Sequence, residues 1–242
     1  MTATTIDVRP ASDRYLTDIG WLDSRHSFSF GPHQDPANTG HGLLMVLNDD
    51  LVAAGGGFGT HGHRDMEIVT WVVSGQLEHQ DSTGHQGVLY PGLAQRMTAG
   101  SGIRHSEMNA SQTEGVHFIQ MWVPPDTRDL QPGYEQRDMN DALAAGGLVP
   151  VASGKGHPGA ITIHQRDAAM HVARLKDGET VTVPDAPFVH VFVAHGAIEL
   201  GESARPLTKG DAARLTDAGR VAITSDGASE VIVWESDSEV QR

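Results

Sequence analysis

The rhythm of this chain constrains its fold more than any single residue does. Short runs rich in Val, Ile, Leu and Thr recur at residues 42–47, 67–73, 116–123, 161–163, 181–183, 188–193 and 230–234. Turn signals separate them, among them Asn48-Asp49-Asp50, Ser74-Gly75, Pro91-Gly92, Asp177-Gly178 and Lys209-Gly210-Asp211. Breaks spaced about 8–12 residues apart are the mark of all-β sandwiches and barrels. Many of the runs are apolar on both parities, as expected of strands covered on both faces. Helix signals are thin. The best is residues 138–145, with Asp138 as N-cap and Gly146 as stop.

The 242 residues divide near Pro124-Pro125-Asp126. Two prolines end the preceding strand, because proline cannot donate to a sheet ladder, and a polar stretch follows. Both sides repeat one layout: strand, Gly turn (Ser74-Gly75; His195-Gly196), strand, then a Pro/Gly turn (Pro91-Gly92; Lys209-Gly210-Asp211). The expectation is a duplicated β-barrel, with residues 1–125 and 126–242 as its two domains.

Composition narrows the function. There are 14 His and no Cys, and the net charge is −14. Without Cys there is no disulfide framework, no thiolate zinc site and no thiol nucleophile. The acidic balance argues against nucleic acid and against anionic membranes. No run approaches the roughly 18 apolar residues of a bilayer span, and no signal peptide is visible, so a cytoplasmic protein is expected. The sequon Asn109-Ala110-Ser111 is then read as chance.

Nine of the 14 His fall between residues 26 and 117, and two pairs have ligand spacing. His61 and His63 are i and i+2, as are His105 and Glu107. In a strand this spacing points both side chains to one face. Two such pairs on neighbouring strands would gather three imidazoles and a carboxylate inside a barrel. Nitrogen and oxygen donors with room for water or substrate suit a divalent transition metal such as iron. Gly57-Phe-Gly-Thr-His-Gly62 also matches G-x-G-x-x-G, but a strand-like run follows it where a dinucleotide site needs a helix. The glycines are read instead as points where the backbone bends.

Gly59-Thr-His-Gly-His-Arg-Asp-Met-Glu67 and Met97-Thr-Ala-Gly-Ser-Gly-Ile-Arg-His-Ser-Glu-Met108 resemble the two motifs of the pirin family of bicupins. Leu77-Glu-His-Gln-Asp-Ser82, Trp21–Phe30, Asn48-Asp49-Asp50 and Tyr134-Glu-Gln-Arg137 extend the likeness to bacterial pirin-like quercetin dioxygenases. The resemblance implies an all-β bicupin. It implies one divalent metal (iron, with nickel, copper, manganese or zinc as alternatives) held by His61, His63, His105 and Glu107. The general cupin pattern H-x-H-x3-E would name Glu67 as the carboxylate ligand, so Glu67 stands as a neighbour or alternative ligand. The base would be Glu107 or Glu67. Gly62 stands where proline is usual between the two histidines.

The implied reaction is cleavage of a flavonol such as quercetin by dioxygen with release of carbon monoxide. The alternative is a non-enzymatic, metal-dependent regulator that binds a protein partner. A monomer is expected. Other residues receive plainer readings: His79 as a structural hydrogen-bonder or barrel-facing residue, His33 and His85 as loop residues, His117 as a core histidine, and Phe28, Phe30 and Met121 as packing. Residues 188–196 carry two histidines at i and i+5, and residues 212–216 carry none. The second domain is therefore expected to lack a metal site.

Overall fold

Most of the runs form strands, but of residues 42–47 only Val46 and Leu47 do, and Asn48-Asp49-Asp50, read as a turn, lies inside the strand Val46–Val52. A computed structural model describes residues 5–201 and 205–240, and among these the fold is all-β apart from one helical turn and a short 3-10 turn. The first half contains β1 (Thr5–Arg9), β2 (Tyr15–Asp18), β3 (Leu22–His26), β4 (Val46–Val52), β5 (Gly57–His63) and β6 (Glu67–Ser74). It continues with β7 (Leu77–Asp81), β8 (Gln86–Leu89), β9 (Leu93–Thr98), β10 (Ile103–Asn109), β11 (Val116–Val123) and β12 (Gly133–Asp138). After α1 (Asn140–Ala144) come β13 (Val149–Ser153), β14 (Ile161–Thr162), β15 (Ala168–Leu175) and β16 (Thr180–Thr182). The chain closes with β17 (Phe188–Leu200), β18 (Leu207–Thr208), β19 (Ala212–Thr216) and β20 (Ala222–Ser236).

Two sheets build the first barrel. One has the order β12-β9-β6-β11-β4-β3-β2, the other β5-β10-β7-β8. Leu22, Val72, Leu93 and Phe118 from the larger sheet meet Leu77 and Leu89 from the smaller one. The second half forms a single sheet, β1-β19-β17-β20-β15-β13-β14, with β16 and β18 added on β20 and β17. Its long strands β17 and β20 fold it over. Their register shifts between Val193 and Ala197. There Gly196 has φ +76°, and a Cβ would meet Ala228 O at 2.2 Å, so only glycine allows the crossing.

The larger sheet of the first barrel is covered twice, which explains its apolar parity. On β6, Ile68 and Val72 face the small sheet, whereas Val69 and Trp71 face the second half. On β11, Phe118 faces the small sheet and Ile119, Met121 and Val123 face the second half. Val172, Phe192, Ile232 and Trp234 complete that shared core from the other side. Trp71 Nε1 also donates to Glu230 Oε1 across it at 2.8 Å.

Several local features differ from the sequence reading, among them His195-Gly196, read as a turn but lying inside β17, whereas the burial of Asn109 agrees with it. β1 leaves the first half and pairs antiparallel with β19, from Thr5 opposite Thr216 to Arg9 opposite Ala212. The helix is only one turn long. Met139 occupies its N-cap position, although Asp138 Oδ1 still accepts from the Asn140 amide at 2.8 Å. Asn109 of the sequon is 3% exposed, and its amide donates to Val52 O, Ala53 O and Glu114 O.

Candidate metal centre

The small sheet carries the chemistry. β10 lies between β5 and β7, with His105 opposite His61 on one side and Asp81 on the other. A bulge in the β5 pairing between His105 and Glu107 sets Glu107 opposite Phe58, while the regular pairing with β7 sets it opposite His79. β5 approaches closely enough that a Cβ on Gly57 (φ +155°) would lie 2.6 Å from Glu107 O, so this glycine is fixed by packing. The segment is itself a strand and is followed by strand β6 and not a helix, in keeping with the rejection of a nucleotide loop.

His61, His63 and His105 come together. Their ligand atoms lie within 4.8 Å of one another, with ring centroids 4.4, 4.8 and 4.9 Å apart. His105 and Glu107 form a second overlapping group with His79, again within 4.8 Å. His105 is thus shared by the three-histidine cluster and the deeper carboxylate. His61 and His63 are half-buried and mark the open side, whereas His79, His105 and Glu107 are buried.

The ring nitrogens are placed as metal donors would be. His61 Nδ1 donates to Gly59 O at 2.8 Å, which leaves Nε2 with its lone pair. His63 Nε2, His79 Nδ1 and both ring nitrogens of His105 are buried without a hydrogen-bond partner. Leaving a buried polar atom unpaired costs about 1–3 kcal/mol, so four such atoms in one place call for a ligand. Burial, aided by the neighbouring imidazoles, pushes His63 down to about 4 and His105 down to about 3. Both rings are neutral at physiological pH, the form that binds a metal.

Glu107 is positioned from the larger sheet. Gln120 Nε2 donates to both of its carboxylate oxygens at 2.8 Å, and Trp122 Nε1 in turn donates to Gln120 Oε1 at 3.0 Å. Burial pushes Glu107 up to about 7, against the hydrogen bond from Gln120. The Trp122 ring also meets His63 edge-on at 4.9 Å. Tyr134 packs over His79 at 5.1 Å and donates to Gln136 at 2.9 Å. Gln120 and Trp122 were not singled out for the site, although they share the inward parity of Phe118. His79 is both a hydrogen-bonder, reaching Asp81 Oδ2 at 3.2 Å, and a barrel-facing residue.

Glu67 is not brought to the histidines. It shares the parity of Val69 and Trp71 on β6, and so points through the sheet toward the second half. There it accepts from the Thr98 hydroxyl at 3.1 Å and from the His164 amide at 3.0 Å, with Arg96 Nε 3.9 Å away. The spacing H-x3-E cannot reveal this, because β6 is buried on both faces and carries no polar alternation.

The remaining histidines of the first half are engaged elsewhere. His117 pairs with Asp49, His26 lies between Asn48 and Thr17, and His33 stacks on Tyr15. Phe28 and Met121 are core residues, and Phe30 packs on His26 and Trp122. A depression of about 510 Å³ lined by His63, Arg64, Ser82 and Arg104 borders the site. A larger cavity of about 1020 Å³ lies between the halves, but none of the site residues lines it. No helix among the described residues is long and apolar enough to cross a membrane.

Known proteins carry the same two halves. Residues 9–123 match the pirin family model, and residues 150–235 match the quercetinase C-terminal cupin domain. A relative from Mycobacterium tuberculosis is 55% identical over 97% of this chain and 96% of its own length. The quercetin 2,3-dioxygenase of Escherichia coli strain K12 is 38% identical over 95% of this chain and 98% of its own length. The crystal structure of YhhW from Escherichia coli superposes with a TM-score of 0.89 at 37% identity, covering 98% of this chain and 100% of that one. The same pirin has been solved in complex with nickel(II), with a TM-score of 0.88 at 36% identity and the same coverage. Identity of this extent along nearly the whole length makes the chain a member of the pirin family.

Proposed function

We propose that this protein is a metal-dependent dioxygenase that cleaves a flavonol such as quercetin with dioxygen and releases carbon monoxide. The observation that carries the reading is the set of unpartnered buried nitrogens on His63, His79 and His105, beside a carboxylate that titrates near neutrality. His61, His63 and His105 would hold the metal, with Glu107 as the fourth ligand. Nickel in a pirin relative and the quercetin 2,3-dioxygenase name of another support this choice. The donor set also accepts iron, copper, manganese and zinc.

A bound divalent cation supplies Lewis acidity, which lowers the pKa of a coordinated hydroxyl. The chain supplies the proton acceptor. Glu107 would take the flavonol hydroxyl proton on leaving the metal and return it later, because a carboxylate held by the cation is too weak a base. Gln120 holds the carboxylate in place through both oxygens, and Trp122 holds Gln120. His61 and His63 stand on the open side, so a planar substrate would enter past Trp122. Glu67, held by Thr98 and His164 behind the sheet, takes no part.

The test pairs metal analysis of the purified protein with a quercetin assay that follows oxygen uptake and carbon monoxide. Turnover with at least one of the five metals is expected. A metal-loaded protein that turns over with none of them overturns the dioxygenase reading and leaves the regulator. His105→Ala is expected to lose the metal; unchanged metal content refutes the ligand assignment.

A further inference from the structure

The second barrel has no His-x-His and no His-x-Glu pair, yet it gathers metal-ligating groups by a different route. His157 lies in the loop after β13, His171 on β15 and Glu235 near the end of β20. His171 continues the inward parity of Ala173 and Leu175, and Glu235 that of Val231 and Val233. Both therefore stand at one end of the aliphatic interior, and the loop brings His157 over them. The His157 and His171 rings meet edge to face at 5.2 Å.

The atoms converge. Glu235 Oε1 lies 2.8 Å from His171 Nε2 and 3.9 Å from His157 Nε2. All three ligand atoms are within 4.8 Å of one another. Metal bonds of about 2.0–2.2 Å would place donors about 3–3.5 Å apart, so a cation needs only a small contraction of this group. The surroundings are already arranged for it. Ser153 Oγ engages His157 Nδ1 at 2.8 Å, which aims the opposite nitrogen, Nε2, at Glu235. Lys155 Nζ binds the outer oxygen, Oε2, at 2.8 Å and also reaches Asp237 at 2.8 Å. The inner oxygen thus remains with the imidazoles, and the lysine charge is balanced by Asp237.

We propose that His157, His171 and Glu235 form a second divalent-cation site at the end of the C-terminal barrel. Two imidazole nitrogens and one carboxylate oxygen select a borderline transition metal such as zinc or nickel over calcium or magnesium. On loading, the ring proton of His171 moves from Nε2 to Nδ1, and Nε2 offers its lone pair. The cation would tie the loop of residues 154–160 to β15 and β20. It uses no residue of the first centre and so is independent of the dioxygenase reading.

The experiment is equilibrium dialysis of the full chain against zinc, followed by metal analysis. Wild type is expected to retain two zinc ions per chain. His157→Gln, which alters a half-exposed loop residue, and His105→Ala are each expected to retain one. The double variant is expected to retain none. Zinc should also raise the melting temperature of His105→Ala but not that of the double variant. A His157→Gln protein that binds as much zinc as wild type overturns the proposal, whatever His105→Ala does.

Discussion

The two barrels share an architecture and fill it in opposite ways. The interior of the second is packed with Val189, Val191, Val193, Ile198, Leu215 and Val233. Seven residues of the first, His61, His63, His79, His105, Glu107, Gln120 and Tyr134, stand where a stabilising barrel would place aliphatic side chains. Buried polar atoms without partners cost stability, whereas well-packed apolar ones add it. The contrast teaches a division of labour. The second barrel, clamped to the first through the shared core around Trp71 and Trp234, supplies stability that the reactive barrel forgoes.

That division can be broken from either side. The largest effect is expected from a charge placed in the filled interior. Val191 is 0% exposed, so Val191→Asp should destabilise by more than about 4 kcal/mol and leave little folded protein in a denaturant melt. The mirror experiment is Glu107→Gln in the metal-free protein. Glu107 has a folded pKa of about 7, above its ordinary value of 4.5. Its ionisation therefore works against the fold, from nothing below pH about 4.5 to the full cost above about 7. At pH 8 the Gln variant should be more stable by on the order of 3 kcal/mol. At pH 4 the two proteins should melt alike, and a pH-independent difference refutes the account. On the proposed reading, the same variant should also lose quercetin turnover.

Smaller effects sharpen the picture. Gln120→Leu removes the donor that holds both Glu107 oxygens and should weaken metal affinity by roughly 10–100-fold, read by competition with a chelator. Least of all, Gly62→Ala should stabilise by about 0.4–1 kcal/mol. A Cβ there meets nothing closer than Ile103 O at 3.6 Å. The gain comes from stiffening the unfolded chain between the two histidines.

The strand rhythm announced both barrels, and the i, i+2 spacing located His61, His63, His105 and Glu107, because period-two alternation survives into three dimensions. Where alternation is erased, the sequence is silent. β6 is buried on both faces, so the facing of Glu67 could not be read. The cluster of His157, His171 and Glu235 spans three separate elements with no local spacing to betray it. Gln120 and His79 sat in plain view on inward parities, but a glutamine between apolar residues reads as packing until Glu107 is seen beneath it. The pairing of β1 with β19 depends on contacts more than 200 residues apart, from Thr5 to Thr216, and no local signal encodes such a distance.

That first strand bears on how the protein is made. Residues 5–9 are synthesised more than 200 residues before β19, whose edge they complete. Until β19 is made, this segment has no strand to pair with. Its docking closes the two halves into a clasp, with β1 bound to β19. A half cut at the Pro124-Pro125 junction would then be a broken ring: one fragment with a dangling strand, the other with an open sheet edge ready to pair with a stranger.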